Sequence, residues 1–292
     1  MPSPLPPLVE HLLQRSDISD VLVNNGTEVW AEANGDLVPA GHLEPGEIDA
    51  SLERILAPIG RRLDRLSPSV DARLDDGTRV CAVISPISPA GTTVAFRVLR
   101  HRRCTIHDFT NDPLVQQCLA EAIARRANVL VSGATGAGKT TLLGALVDVV
   151  RHLDRIIVLE DTQEIVVAHP HCVRLETRQP TADGIGAVTL DELLRTALRL
   201  RPDRLVIGEI RDREAVTMVN ALNTGHSGSL SSVHANSAID AIHRLELLVS
   251  RLMPGVDSPV VERLVHGAID MVVHVERSEH GRRVIAHVEN LR

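Results

Sequence analysis

Aromatic side chains are nearly absent from this chain. Trp30, Phe96 and Phe109 are the whole set in 292 residues, and there is no tyrosine. Proteins that grip single-stranded nucleic acid stack its bases on aromatic rings, so that mode is disfavoured. The net charge of -7 also argues against a chain-wide hold on phosphate backbones, although a local basic patch on an assembled particle stays open. Cysteine is scarce too. Cys81, Cys104, Cys118 and Cys172 lie far apart without a C-x-x-C pair. That spacing fits neither a zinc site nor a disulfide framework, and the four read as reduced core residues. No run approaches the ~18 to 20 apolar residues of a membrane span. The proline-rich start, Met1 to Pro7, lacks the basic-then-apolar order of a secretory signal. The expectation is a cytoplasmic protein.

The sharpest shortage is lysine. Of 31 basic residues, Lys139 is the one lysine and all others are arginine. Arginine carries a broad planar fork, whereas lysine is a compact point charge able to thread between phosphates. Lys139 falls in Gly133-Ala134-Thr135-Gly136-Ala137-Gly138-Lys139-Thr140, a full match to the phosphate-binding pattern G-x-x-x-x-G-K-[ST]. An apolar strand, Asn128 to Ser132, leads in, and a helix over Thr140 to Val150 leads out. In that setting successive backbone N–H groups point at phosphates, Lys139 reaches the β- and γ-phosphates, and Thr140 ligates Mg²⁺. Thr141, the next residue, joins the binding set. A nucleoside triphosphate, ATP with Mg²⁺, is the expected ligand.

The chain is long enough for two domains. Residues 1–104 read as a small α+β domain. Asp20 to Asn24 and Thr27 to Ala33 are β-like runs around the hairpin signal Asn25-Gly26. Glu47 to Ala57 has a helical stripe, and Val70 to Leu74, Thr78 to Ile84 and Thr92 to Leu99 are further strands. Residues 105–112 read as a linker. From 113 to 292 strands and helices alternate, which predicts a mostly parallel α/β sheet with ligands at the carboxyl ends of its strands.

Two further strand ends are acidic. Arg204-Leu205-Val206-Ile207-Gly208-Glu209 occupies the place of a Walker B strand, with Gly208 where an aspartate is usual. Glu209 is placed to polarise an attacking water or bind Mg²⁺; the alternative is a surface carboxylate. Ile156 to Glu160 ends in a second carboxylate, followed by Asp161 and Glu164, and Glu160 is a candidate to supply what Gly208 lacks. His226 and His234 stand on either side of a short strand, within Thr224-Gly225-His226 and Ser231-Ser232-Val233-His234. Each is either a structural histidine or a donor to the γ-phosphate. Arg211 and Arg213 follow the acidic strand and are read as partners of neighbours such as Glu214.

The order of these motifs resembles the secretion and pilus-assembly ATPases of the type II/type IV secretion superfamily. Leu198 to Arg211, Asn223 to His226 and Val70-Asp71-Ala72-Arg73-Leu74 look most like the tight-adherence (Tad/Flp) pilus branch. The resemblance implies a RecA-like ATPase domain preceded by a PAS-like amino-terminal domain. It makes Glu209 the catalytic glutamate, Glu160 a contributor near Mg²⁺ and water, and His226 and His234 nucleotide sensors. It places nucleotide between the domains of a homo-hexameric ring, where Arg79, Arg97 and Arg100 are candidates to close on it. The partner would be an integral-membrane platform protein at the inner face of the cytoplasmic membrane. No tetracysteine zinc motif is present, which disfavours the pilus-extension branch. The rival expectations are a nucleic-acid-translocating or conjugation ATPase and a nucleotide-gated scaffold with little turnover.

Overall fold

The computed structural model describes residues 4–33, 35–74, 76–98, 103–181, 184–278 and 281–292. Two compact units emerge. One comprises Met1–Arg100 with Pro180–Gly186, and the other His101–Gln179 with Ala187–Arg292.

In the first unit, α1 (Pro7–Gln14) precedes β1 (Ile18–Asn24), β2 (Glu28–Ala33) and β3 (Asp36–His42). Then come α2 (Glu47–Leu56), β4 (Ser69–Arg73), β5 (Arg79–Val83) and β6 (Thr93–Arg97). The strands pair antiparallel in the order β3-β2-β1-β6-β5-β4. Asn25 and Gly26 both take positive φ (54° and 79°) in the tight connection 25–27, which the Thr27 N–H closes on the Asn24 carbonyl between β1 and β2. One face of the sheet is apolar. Val21, Val23, Val80 and Phe96 pack there with Val9 and Leu12 of α1 and Ile48 and Leu52 of α2.

The second unit begins with a 3-10 turn, Ile106–Asp108, and continues through α3 (Pro113–Ala124), β7 (Val129–Gly133), α4 (Lys139–Val147) and β8 (Ile156–Glu160). Next are β9 (Cys172–Glu176), α5 (Leu190–Ala197), β10 (Arg204–Ile210), α6 (Glu214–Asn223) and β11 (Leu230–His234). It closes with α7 (Ala238–Leu252), α8 (Ser258–Ala268), β12 (Met271–Arg277) and β13 (Arg283–Asn290). The sheet order is β13-β12-β7-β11-β10-β8-β9. All of its pairings are parallel except that of the edge strand β13.

Alternate residues of its inner strands feed two cores, which is why these strands read as unbroken apolar runs. Val129, Val131, Ile156 and Val158 face Leu119 and Ile123 of α3 and Leu142 and Leu146 of α4. Leu130, Ile157, Leu159 and Ile207 face Leu194 of α5, Met218 of α6, Leu245 of α7 and Val265 of α8. Residues 105–112, expected as a linker, lie in this unit. Ile106 and Phe109 are buried in its core, and the carbonyl of Phe109 accepts from the Ile285 N–H. Two apolar side chains in so short a stretch favour packing over an open tether.

At the amino ends of the strands sits a buried ionic cluster. Arg204, 2% exposed, donates through Nε to Asp154 at 2.9 Å and through a terminal nitrogen to the Ile123 carbonyl at 2.8 Å. Arg126 adds a second contact to Asp154 at 3.1 Å. At the carboxyl ends of β12, β7, β11, β10 and β8, which share one edge because the strands are parallel, lie the acidic and glycine-rich segments.

Candidate nucleotide site

β7 ends at Gly133 and α4 begins at Lys139, so Ala134 to Gly138 form the loop between them. Gly133 and Gly138 cannot be other residues without rebuilding it. Both have positive φ, 156° and 102°. A Cβ on Gly133 would stand 2.4 Å from the Val275 carbonyl oxygen, and one on Gly138 would stand 2.6 Å from Arg283 Cδ. The first α4 hydrogen bond runs from the Leu142 N–H to the Gly138 carbonyl. The N–H groups of Lys139, Thr140 and Thr141 precede it in the first turn, where a helix presents donors to an anion.

Lys139 is 8% exposed and folds back over the loop, its Nζ donating to the carbonyls of Gly133 (3.0 Å) and Ala134 (3.1 Å). Burial pushes its pKa below the ordinary lysine value; the charges of Glu209 and Glu164 oppose the shift and Arg211 adds to it. All three charged groups lie on or just after the carboxyl ends of β8 and β10.

Glu209 lies on β10 and accepts from Arg211 at 2.6 Å; the same guanidinium approaches Asp161 at 3.6 Å. Arg211 therefore pairs with acidic neighbours, and they are Glu209 and Asp161. Glu214 is buried and instead accepts from the backbone N–H groups of Arg211 and Asp212 ahead of α6.

Glu160 is 3% exposed. One carboxylate oxygen accepts from the N–H groups of Glu164 and Ile165, both at 2.8 Å, and the other from Arg174 at 3.3 Å. Burial raises its pKa, while those two N–H groups and Arg174 restrain the rise. Instead of standing open beside Thr140 as a metal ligand, this carboxylate holds the 161–165 loop against the end of β8. Its side chain also fills the space next to Gly208, where a Cβ would meet Glu160 Cγ at 3.1 Å.

The two histidines part company. His234 ends β11 in register with Gly133 and so stands at the loop edge. His226 precedes β11, at the opposite end of the strand, with the four steps from Leu230 to His234 (~13 Å) between it and the loop level. Of the two candidate sensors, His226 thus belongs to the amino edge of the sheet and His234 to the loop edge.

Arg79 and Arg97 are cross-strand partners in the first unit's sheet, with ion pairs to Asp71 (3.7 Å) and Asp20 (2.7 Å) respectively. Arg100 lies outside the described residues. Three groups at the loop escaped sequence reasoning. Ser132 meets buried His274 of β12 at 2.8 Å, and that ring meets Glu276 at 3.1 Å. Arg277 donates to the Gly136 carbonyl at 3.0 Å, and Arg283 to the Thr141 hydroxyl at 2.9 Å. The apolar run Met271 to Val275, interrupted by His274 alone, announces a buried strand, but nothing local says that it docks beside the loop.

The loop is shaped for a chain of phosphates: glycines where side chains would collide, free helix donors, and a buried ammonium. Thr140 and Glu209 carry a hydroxyl and a carboxylate at this edge, donors of the kind a hard cation would take. A mostly parallel sheet with such a loop, and with an acidic strand end two strands away, defines a P-loop nucleotide-binding domain. Residues 6–277 match the family described as type II/IV secretion system protein, and the chain belongs to that family.

A putative conjugal transfer protein of Mycobacterium tuberculosis H37Rv is 35% identical over 98% of this chain and 84% of its own length. The conjugal transfer protein TrbB of Rhizobium radiobacter is 30% identical over 96% and 86%. Among solved structures, the VirB11 ATPase of the Brucella suis type IV secretion system matches at 26% identity with a TM-score of 0.53, covering 97% of this chain and 92% of that one. The pilus retraction motor PilT with bound ADP matches with a TM-score of 0.74 at 22% identity, covering 97% and 81%, a likeness of fold. The RecA-like fold expected of the second unit is the one these ATPases share.

Proposed function

We propose that this chain is a Mg²⁺-dependent ATPase motor that drives pilus assembly or protein secretion through a membrane platform. What supports the reading is that Lys139, Glu209 and His234 converge on one sheet edge in a chain of the secretion-system family. Lys139 binds the β- and γ-phosphates, and Thr140 and Glu209 would hold Mg²⁺. Mg²⁺ held there would offset the negative charge of the phosphates. Glu209 orients the attacking water and takes its proton, held in place by Arg211. His234 donates to the γ-phosphate and reports its loss. Glu160 acts one step back, fixing the loop that carries Asp161 and Glu164.

The remaining assignments rest on the resemblance. They are a PAS-like character for the first unit, a homo-hexameric ring, the Tad/Flp branch, and docking at the inner face of the cytoplasmic membrane. Nucleotide contacts by Arg79, Arg97 and Arg100 have the same support. No helix among the described residues is long and apolar enough to cross a membrane. The test is turnover by the purified chain. Activity well above that of Glu209→Gln supports the motor, whereas equal activity would leave a nucleotide-gated scaffold.

A second reading, an ATPase of a conjugation apparatus, is favoured by the conjugal transfer relatives. DNA-stimulated, salt-sensitive turnover would select it.

A further inference from the structure

The β12–β13 hairpin lays two guanidinium groups on the phosphate loop. Arg277 and Arg283 are cross-strand partners, so the pair sits at one level of the hairpin. The hairpin is tied to the strand beneath the loop. β12 runs parallel to β7, and the His274 ring bonds Ser132, the residue before Gly133. Arg277 donates to the outward carbonyl of Gly136. Arg283 runs along the bare face of Gly138, which is why a Cβ there would strike its Cδ, and ends on the Thr141 hydroxyl.

Thr141 lies one residue beyond Thr140, in the first turn of α4. The loop N–H groups cradle the α- and β-phosphates of a nucleotide, while Lys139 serves the β and γ positions. A cation beside Thr141 therefore stands at the α-phosphate end, farthest from the reacting γ-phosphate. Both arginines are exposed, and among the described residues their forks meet a carbonyl and a hydroxyl. An arginine fork matches phosphate oxygens better than either.

The geometry points to Arg283 as a nucleotide-binding residue that takes the α-phosphate, with Arg277 as a positioning residue that holds the loop through Gly136. The inference rests on the P-loop reading above. Arg283 exchanges the Thr141 hydroxyl for a phosphate oxygen when nucleotide enters, and the hairpin is thereby drawn toward the ligand.

The experiment is titration of the full chain with a fluorescent ADP analogue in Mg²⁺, comparing wild type, Arg283→Gln, Arg283→Lys and Lys139→Ala. Glutamine keeps a donor for Thr141 and removes the charge, so folding is preserved, and an unliganded thermal midpoint checks this. Arg283→Gln should weaken ADP binding by about tenfold or more, the scale of a lost charge-assisted phosphate contact. Arg283→Lys should recover part of the loss, since the charge returns without the fork. Unchanged affinity in Arg283→Gln, with Lys139→Ala losing binding, overturns this inference alone. If Lys139→Ala also binds like wild type, the P-loop reading itself falls.

Discussion

Glu160 occupies the space that a side chain on Gly208 would need. A Cβ at position 208 would lie 3.1 Å from Glu160 Cγ and 3.5 Å from the Leu159 carbonyl oxygen. Two neighbouring strand ends thus share room for one carboxylate side chain, and here it is rooted on β8. Glu160 cannot easily step aside, because two backbone N–H groups and Arg174 hold it. The glycine in place of the usual Walker B aspartate is a packing consequence of that choice.

Restoring an aspartate at 208 should therefore harm the protein. Gly208→Asp is expected to destabilise by about 1–3 kcal/mol through crowding, with like charge beside Glu160 adding to it. Glu160→Ala also destabilises, since it strands Arg174 and the loop donors. The double variant should be more stable than the sum of the two losses predicts, with a coupling of about 0.5–3 kcal/mol. Denaturant unfolding of the four proteins checks this; simple additivity would show that the two sites do not compete.

Binding and hydrolysis should separate cleanly at the loop. Lys139→Ala is expected to weaken ATP affinity by about a hundredfold or more, because a buried ammonium aimed at two phosphates is lost. Glu209→Gln should bind ATP normally and lose turnover by about two orders of magnitude or more, the usual scale for a general base. Arg211→Ala frees the Glu209 carboxylate and should lower kcat with little change in KM. Calorimetry beside a phosphate-release assay resolves the three.

The histidines give a sharper comparison. His234→Ala should reduce turnover by about tenfold or more, since the ring stands at the Gly133 edge. His226→Ala should leave ATP affinity and single-turnover rate in an isolated subunit near wild type. Loss of both in His226→Ala would mean that the residue reaches a nucleotide it cannot reach through its own sheet.

Much of this was legible in the sequence. Ile156–Glu160 is the strand expected, residue for residue, because four apolar residues ending in a carboxylate suit a buried strand of an α/β sheet. The Asn25-Gly26 hairpin and the α2 stripe followed local rules. The strand β3, mostly exposed and with Pro39 and Gly41 inside it, did not: its state is set by backbone pairing with β2. At the site, motif spacing found the residues on each strand end and put the two histidines on either side of β11, but spacing is blind to which distant segment joins that edge. It is equally blind to contacts 141 and 142 residues apart in the chain, such as Arg277 with Gly136 and Arg283 with Thr141. Those depend on where β12 joins the sheet.

Stability should hinge on the far edge of the sheet, away from chemistry. Asp154 is buried; burial pushes its pKa up, but the hydrogen bonds and charges of Arg204 and Arg126 outweigh that and hold it below the ordinary 3.8. A carboxylate with a depressed folded pKa contributes stability that is present in full above its unfolded value and lost as pH falls through the folded one. The window is therefore acidic, opening near pH 4 and running downward. Arg204→Leu removes the partner and leaves Asp154 with Arg126 alone, and should cost about 3–5 kcal/mol at neutral pH. Asp154→Asn should lose stability too and flatten the acid limb of the pH profile, because the titrating group is gone. Unfolding free energies from pH 2.5 to 7 decide it: an unchanged acid limb in Asp154→Asn would place the proton uptake elsewhere.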